Sequence, residues 1–169
     1  MQSQEGKGPT ILVLGIGNLV MNDDGVGVVV VQKLQRGYHL PPEVAVMDGG
    51  TLGLDILPHL EGIERLIMVD ALETGGAGGT RIRLADAEIP LALETKLSAH
   101  QMGLKDLLSV ALLMGHAPAK MVLLGVQPVN IEMGNGLTPA VEAQVDILLE
   151  NILTELENWG VAGITSSPI

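Results

Sequence analysis

Short aliphatic runs recur along the chain, and each gives way to a polar or glycine-rich segment. Runs of this length between turn residues predict β-strands that are buried on both faces. One run differs, because residues 80–84 (TRIRL) alternate basic and apolar side chains, a pattern typical of a half-exposed edge strand. The predicted strands are residues 10–14, 44–47, 65–71, 80–84 and 121–126.

Helical signals lie between these strands and after the last one. The predicted helices are residues 26–36, 54–60, 98–114 and 138–159. Capping residues precede three of them: one of Asn22, Asp23 or Asp24; Ser98 with Gln101; and Thr138 with Pro139. A glycine at position 37 is placed to follow the end of the first helix.

Strands that alternate with helices predict an α/β fold of three layers, with helices on both sides of a mostly parallel sheet. No repeat, low-complexity segment or linker divides the sequence, so residues 1–169 are expected to form a single domain. We expect residues 1–9 and the tail, residues 160–169, to be flexible. Residues 86–97 show no clear periodicity and are expected to be irregular.

The composition excludes several classes of function. Nine Lys and Arg against 20 Asp and Glu give a formal net charge of −11, which disfavours binding to nucleic acid and to anionic membranes. The absence of Cys excludes disulfides, thiolate zinc sites and cysteine nucleophiles. No apolar run approaches the roughly 18 residues of a membrane span, and the polar start is unlike a signal peptide. We therefore expect a cytoplasmic protein with no membrane insertion.

Candidate chemistry falls at the predicted carboxyl ends of the strands, where open α/β sheets form their binding sites. Asp24 lies in the loop after the first strand, Asp48 follows the second and Asp70 ends the third. The first loop begins like a dinucleotide-binding loop, but Val20 replaces its third glycine. Neighbouring carboxylates would also repel a pyrophosphate there, so nucleotide binding is disfavoured.

Asp24, Asp70 and His100 together suit a metal ion. His100 is expected in the first turn of a helix, where the helix dipole disfavours an imidazolium and favours a neutral ring with a ligand or partner. Two carboxylates and one imidazole, with positions left open, suit Ni²⁺, Zn²⁺ or Mn²⁺. Simpler roles stay open, since both Asp residues can cap turns and His100 can be a surface side chain.

Six motifs occur in an order that resembles one enzyme family, the NiFe-hydrogenase maturation endopeptidases, also called hydrogenase-specific C-terminal processing proteases. The resemblance spans roughly residues 11–159. It implies a mixed five-stranded sheet between helices, with one strand antiparallel. The motifs are LVLGIGNLVMNDDGVGV, MDGGTLG, LIMVDA, SAHQMGL, LLGVQP and GLTPAV.

The same resemblance implies a function and a set of site residues. Members of the family remove a C-terminal extension from the precursor of a hydrogenase large subunit after nickel has been inserted. Their metal-binding residues correspond to Asp24, Asp70 and His100, and the first of these is Glu in some members. Their Asp-Gly-Gly-Ser/Thr segment, which is associated with substrate recognition or cleavage, corresponds to residues 48–51 and begins with Asp48.

Metal-assisted peptide hydrolysis is the mechanism that this resemblance favours, with Asp24, Asp48, Asp70 and His100 as the catalytic set. Nickel presented by the substrate would meet the three metal-binding residues and signal that the precursor is ready. Asp48 would orient water or the substrate chain. Two alternatives stay open: a non-catalytic module that checks or carries nickel, and a self-contained peptidase with zinc or another divalent metal in its resting site.

Overall fold

The computed structural model describes residues 6–95 and 99–168, excepting the side chains of residues 94, 95 and 99–103. Its strands are β1 Ile11–Ile16, β2 Tyr38–His39, β3 Val44–Gly50, β4 Arg65–Ala71, β5 Arg81–Ala85, β6 Lys120–Val126 and β7 Thr165–Ser166. Five of them form one sheet in the order β3-β1-β4-β6-β5. The first four in that order are parallel, and β5 runs antiparallel at the edge. The predicted mixed sheet and its amphipathic edge strand are confirmed.

Helices cover both faces of this sheet. They are α1 Val26–Gly37, α2 Glu88–Thr95, α3 Ala99–Leu113, α4 Pro139–Glu142 and α5 Val145–Asn158, with 3-10 helices over Asn22–Gly25 and Gly53–Leu60. The face covered by α1 and α5 is called the α1 face, and the face covered by α2, α3 and the second 3-10 helix is called the α3 face. None of the described helices is long and apolar enough to cross a membrane.

Alternation along the central strand β4 fills both cores. Ile67 and Val69 point into the α1 face, whereas Leu66 and Met68 point into the α3 face, as expected for a strand with period two. Both cores are aliphatic, in keeping with a sequence that has no Phe.

Within the described residues, the expectation that 86–97 is irregular is wrong. Helix α2 occupies most of this segment, and Ile89 and Leu93 are buried one helical turn apart on the α3 face. Pro90 lies within this segment, and a proline normally argues against a helix, so the sequence did not predict α2. Proline is tolerated here because the N–H groups of a first helical turn have no partner within the helix.

The predicted caps of α1 are also wrong. The residue that precedes α1 is Gly25, and no side chain caps the helix. Asp23 and Asp24 lie earlier, in the 3-10 helix Asn22–Gly25. The carboxylates of Asp23 and Asp24 instead accept hydrogen bonds from residues outside α1.

The predicted long helix over 138–159 is interrupted at residues 143–144, which separate α4 from α5. Pro139 does occupy the first turn of α4, as predicted, but Thr138 makes no side-chain cap there. Apolar periodicity continues through the interruption, since Val141 and Val145 are both buried on the α1 face. This continuity explains why the pattern alone indicated one helix.

The C-terminal tail contacts the rest of the fold. Thr165 and Ser166 pair antiparallel with His39 and Tyr38, and Val161 is buried in the core of the α1 face. The tail thus contacts the fold at two points, and its flexibility stays a prediction.

Candidate active site

Asp24 lies on a tight loop that leads from β1 to α1. It is half-buried in the 3-10 helix that contacts β4, and its Oδ2 accepts a hydrogen bond from the Asn18 N–H at 2.9 Å. Gly17 allows the loop to close, because its φ is +133° and a Cβ there would lie 1.8 Å from the Asp24 carbonyl oxygen. The loop therefore holds Asp24 beside the carboxyl ends of β1 and β4.

Asp70 lies near the carboxyl end of β4, with no exposed surface. Val69 and Ala71 point into the core of the α1 face, so Asp70, which lies between them, points to the α3 face. A carboxylate removed from water needs polar or charged neighbours to offset its desolvation. Its position at a strand end therefore marks Asp70 as a functional candidate and not as an ordinary core residue.

His100 lies in the first turn of α3, but its side chain is outside the described residues, as is all of Ser98. Helix α3 packs on the face to which Asp70 points, because Leu104 and Leu107 share the core with Met68. The helix ends shortly before β6 begins, at the amino end of the sheet. Its first turn therefore lies toward the carboxyl end, where Asp70 is found.

Asp48 points to the opposite face of the sheet from Asp70. Val46 packs against the core of the α1 face, and Asp48, two residues later, points to the same side. There its Oδ2 accepts a hydrogen bond from Gln32 Nε2 at 3.1 Å. Its Oδ1 accepts the Gly50 N–H at 3.0 Å, which stabilises the turn after β3. The structure thus brings Asp48 to the same end of the sheet as Asp70 but not to the same side.

The exposed carboxylate of Asp48 borders a cavity of about 250 Å³. Asn18 also lines this cavity, and its N–H is the one that binds Asp24. One loop therefore separates the cavity of Asp48 from the carboxylate of Asp24. The residues that line the cavity are Gly17, Asn18, Leu19, Val28, Asp48, Gly50 and Thr51.

Asp23 has a role that the sequence analysis missed. It has no exposed surface, and its carboxylate accepts hydrogen bonds from the N–H groups of Val129 at 2.8 Å and Asn130 at 3.0 Å. It also accepts both the N–H of Thr138 at 2.7 Å and its hydroxyl at 2.8 Å. Burial alone would raise the pKa of Asp23, but these hydrogen bonds outweigh it and lower the pKa below its ordinary value.

This carboxylate ties the loop that carries Asp24 to the segment after β6. Backbone hydrogen bonds add to the link, because Asp23 N–H donates to the Asn130 carbonyl at 2.9 Å. No local signal could have identified the role, since the side-chain partners lie at least 106 positions away in sequence. The two adjacent Asp residues thus have different roles. Asp23 is buried and holds the scaffold together, whereas Asp24 lies nearer the surface.

The donor set of Asp24, Asp70 and His100 fits a divalent metal by its chemistry, with two carboxylate oxygens and one imidazole nitrogen. Among the side chains that the structure describes, no group of three His, Cys, Asp or Glu is arranged to hold a metal ion. The side chain of His100 is not among these. The three-residue metal site therefore stays a prediction.

Comparisons with known proteins agree with this architecture. The family model described as hydrogenase maturation protease matches residues 28–155. Hydrogenase 2 maturation protease of Escherichia coli is 41% identical over 160 residues, covering 94% of this chain and 98% of that protein. The hydrogenase expression/formation protein HupD of Rhodobacter capsulatus is 42% identical over 153 residues, covering 89% of this chain and 73% of that protein.

A solved structure is also similar. It is the hydrogenase maturating endopeptidase HybD from Escherichia coli, with a TM-score of 0.85 and 40% sequence identity. The match covers 94% of this chain and 96% of that one. The similarity therefore extends over the sheet, both helical layers and the loops at the carboxyl ends of the strands.

Proposed function

Since this chain belongs to the family of hydrogenase maturation proteases, we propose that it removes the C-terminal extension from the precursor of a NiFe-hydrogenase large subunit, in the cytoplasm, after nickel insertion. The observation that carries the proposal is the match to the family model over residues 28–155, which includes Asp48, Asp70 and His100. The names of two similar proteins support it, since they describe a hydrogenase 2 maturation protease and a hydrogenase maturating endopeptidase.

Nickel enters this proposal as part of the substrate. Asp24, Asp70 and His100 would bind the nickel that the precursor already holds, so that only a loaded precursor is aligned for cleavage. Two carboxylates and one imidazole, without a thiolate, make a sparse ligand set that leaves coordination positions for ligands from a partner. A divalent ion bound there would polarise a peptide carbonyl or a water molecule.

Asp48 is proposed to orient the substrate chain or the attacking water. Its carboxylate is exposed and is held in place by Gln32 and Gly50, so that it can accept a further hydrogen bond without moving. Gly49 follows with no side chain, and a Cβ there would lie 2.7 Å from the Leu14 side chain. Gly49 is buried and its missing side chain would point into the core of the α3 face, so this glycine allows close packing beneath the strand end that carries Asp48.

Mass spectrometry of the precursor tests the proposal. After incubation with this protein, we expect a nickel-loaded large-subunit precursor to lose one C-terminal segment and to be otherwise intact. A precursor that binds tightly and keeps its full mass would instead indicate a non-catalytic module that checks or carries nickel. The third possible result is that the zinc-free protein cuts nickel-free precursor only after zinc is added. This result would indicate a resident-zinc peptidase.

A further inference from the structure

Two loops at the carboxyl end of the sheet expose a set of apolar side chains to solvent. Met133 is 83% exposed and Val129 is 58% exposed, which are high values for large apolar residues. Exposed apolar residues are common when they occur singly, but these come from two loops that lie side by side. We call this set the apolar rim, and its members are Leu19, Val20, Val129, Ile131 and Met133.

Hydrogen bonds join the two loops of the rim. Gly134 N–H donates to the Val20 carbonyl at 2.9 Å, and Asn22 N–H donates to the Gly134 carbonyl at 3.2 Å. Asn22 Nδ2 donates to the Glu132 carbonyl at 3.0 Å, and the buried carboxylate of Asp23 binds the same segment. The exposed side chains therefore project from a backbone that is already ordered. Binding a partner there costs less conformational entropy than binding to a mobile loop would.

The charged residues within the loops that form the rim or border the cavity of Asp48 all have one sign. Residues 17–25, 48–55 and 128–137 contain no Lys, Arg or His. Their carboxylates include exposed ones, among them Glu132 beside Met133 and Asp55 beside Leu54. A complementary partner would therefore present apolar residues flanked by Lys or Arg. The acidic residues of the three segments are Asp23, Asp24, Asp48, Asp55 and Glu132.

The rim is continuous with the candidate active site. Leu19 belongs to the rim and also lines the cavity of Asp48. Its neighbour Asn18 donates its N–H to Asp24. A protein that covers the rim would therefore lie over the loop that separates Asp24 from Asp48.

From the fixed loops, the single sign of charge and this continuity, we propose that the apolar rim docks the folded body of the large-subunit precursor. The inference rests on the proposed function and adds the surface by which the substrate is recognised. The surface of the precursor that meets the rim is apolar with basic residues around it. Docking there sets the position of the precursor before its extension is cut.

A second exposed apolar group provides a matched control. Leu113 is 86% exposed and Met114 is 56% exposed, at the end of α3. This group lies at the amino end of the sheet, away from the candidate site. Its surroundings also differ in charge, because Lys105 lines a cavity with the adjacent Leu112.

The test compares two double variants of the full chain, Val129→Ser with Met133→Ser, and Leu113→Ser with Met114→Ser. Binding and cleavage are measured separately with a nickel-loaded large-subunit precursor, and thermal unfolding confirms that both variants fold. We expect the rim variant to raise Kd and KM by about tenfold with kcat unchanged, the usual effect of truncating central contacts. The control variant is expected to bind as the wild type does. Glu132→Lys should also raise KM, because it repels a basic partner.

Each result decides the inference. Normal KM in the rim variant, or an equal rise in both double variants, overturns it while the proposed function stands. Binding that depends on the rim, without cleavage by the wild type, supports the docking surface and overturns the proposed function. A wild-type protein that neither binds nor cleaves the precursor overturns both.

Discussion

The carboxylate of Asp23 accepts both the backbone N–H and the hydroxyl of Thr138, a residue 115 positions later in the chain. This double contact fixes the start of α4 against the loop between β1 and α1. Because Asp24 is the next residue, the contact also sets where the candidate metal ligand lies. The stability of the fold and the geometry of the site thus both depend on the buried side chain of Asp23.

Replacing Asp23 with Asn is expected to destabilise the fold by about 2–3 kcal/mol, the usual range for losing buried hydrogen bonds to a charged group. The amide NH₂ of Asn would meet N–H donors where a carboxylate oxygen now accepts them. Urea unfolding gives the measurement. Asp146→Asn is the control, because Asp146 is exposed and paired with Lys33 at the surface, and it should cost well under 1 kcal/mol. Equal effects of the two variants would contradict the scaffold role of Asp23.

Stability should depend on pH through the same carboxyl. The folded pKa of Asp23 lies below the ordinary value of 3.8, so its ionised form contributes stability above that value. The contribution is lost as pH falls through the folded pKa. The difference in unfolding free energy between wild type and Asp23→Asn should therefore be constant from about pH 7 to pH 5 and shrink below about pH 4. A difference that stays constant through acid pH would show that the pKa is not lowered.

Gly17→Ala should disturb the loop that carries Asp24. The added Cβ would lie 1.8 Å from the Asp24 carbonyl oxygen at a φ of +133°, so the loop must move or the protein must lose about 2 kcal/mol or more. Gly37→Ala is the matched control, since a Cβ at that helical position meets nothing within 4 Å. Thermal unfolding together with precursor cleavage measures both consequences. Unchanged values for Gly17→Ala would mean that the loop is not held as described.

Asp48→Asn should lower the rate of precursor cleavage by about 100-fold, of the order expected when a reacting group is misplaced. The fold should be unaffected, because the side chain is exposed and an amide can still accept the Gly50 N–H. Asp55→Asn, at an exposed carboxylate nearby, should keep the wild-type kcat. If Asp48→Asn also cleaves normally while folded, Asp48 is only a turn residue.

Patterns local in sequence predicted much of the fold. A strand that is buried on both faces reads as a continuous aliphatic run, as in β1, β4 and β6. A strand that is buried on one face alternates apolar and polar residues, as in β5. Helix α2 was missed because Pro90 and nearby charged residues obscure the buried pair Ile89 and Leu93. Its stability comes from packing on the α3 face, which is not a local property.

The candidate site was predicted in part. Strand ends indicated Asp48 and Asp70, but the opposite faces to which they point depend on register and on which helix covers each side. The role of Asp23 depends on hydrogen-bond donors from a distant segment. The sequence alone therefore could not distinguish Asp23 from the adjacent Asp24. The side chain of His100 lies outside the described residues, and its place in the site stays a prediction.

The central claim is that cleavage depends on metal held by the substrate and not on metal held by the free protein. Metal-stripped protein is mixed with nickel-loaded or nickel-free large-subunit precursor, and the intact mass of the precursor is followed over time. His100→Ala serves as the inactive variant and His59→Ala, at an exposed position, as its control. The account predicts that only the nickel-loaded precursor is shortened, by wild type and by His59→Ala but not by His100→Ala. Shortening of the nickel-free precursor once zinc is added to the protein, with no reaction of the loaded precursor before, would contradict it.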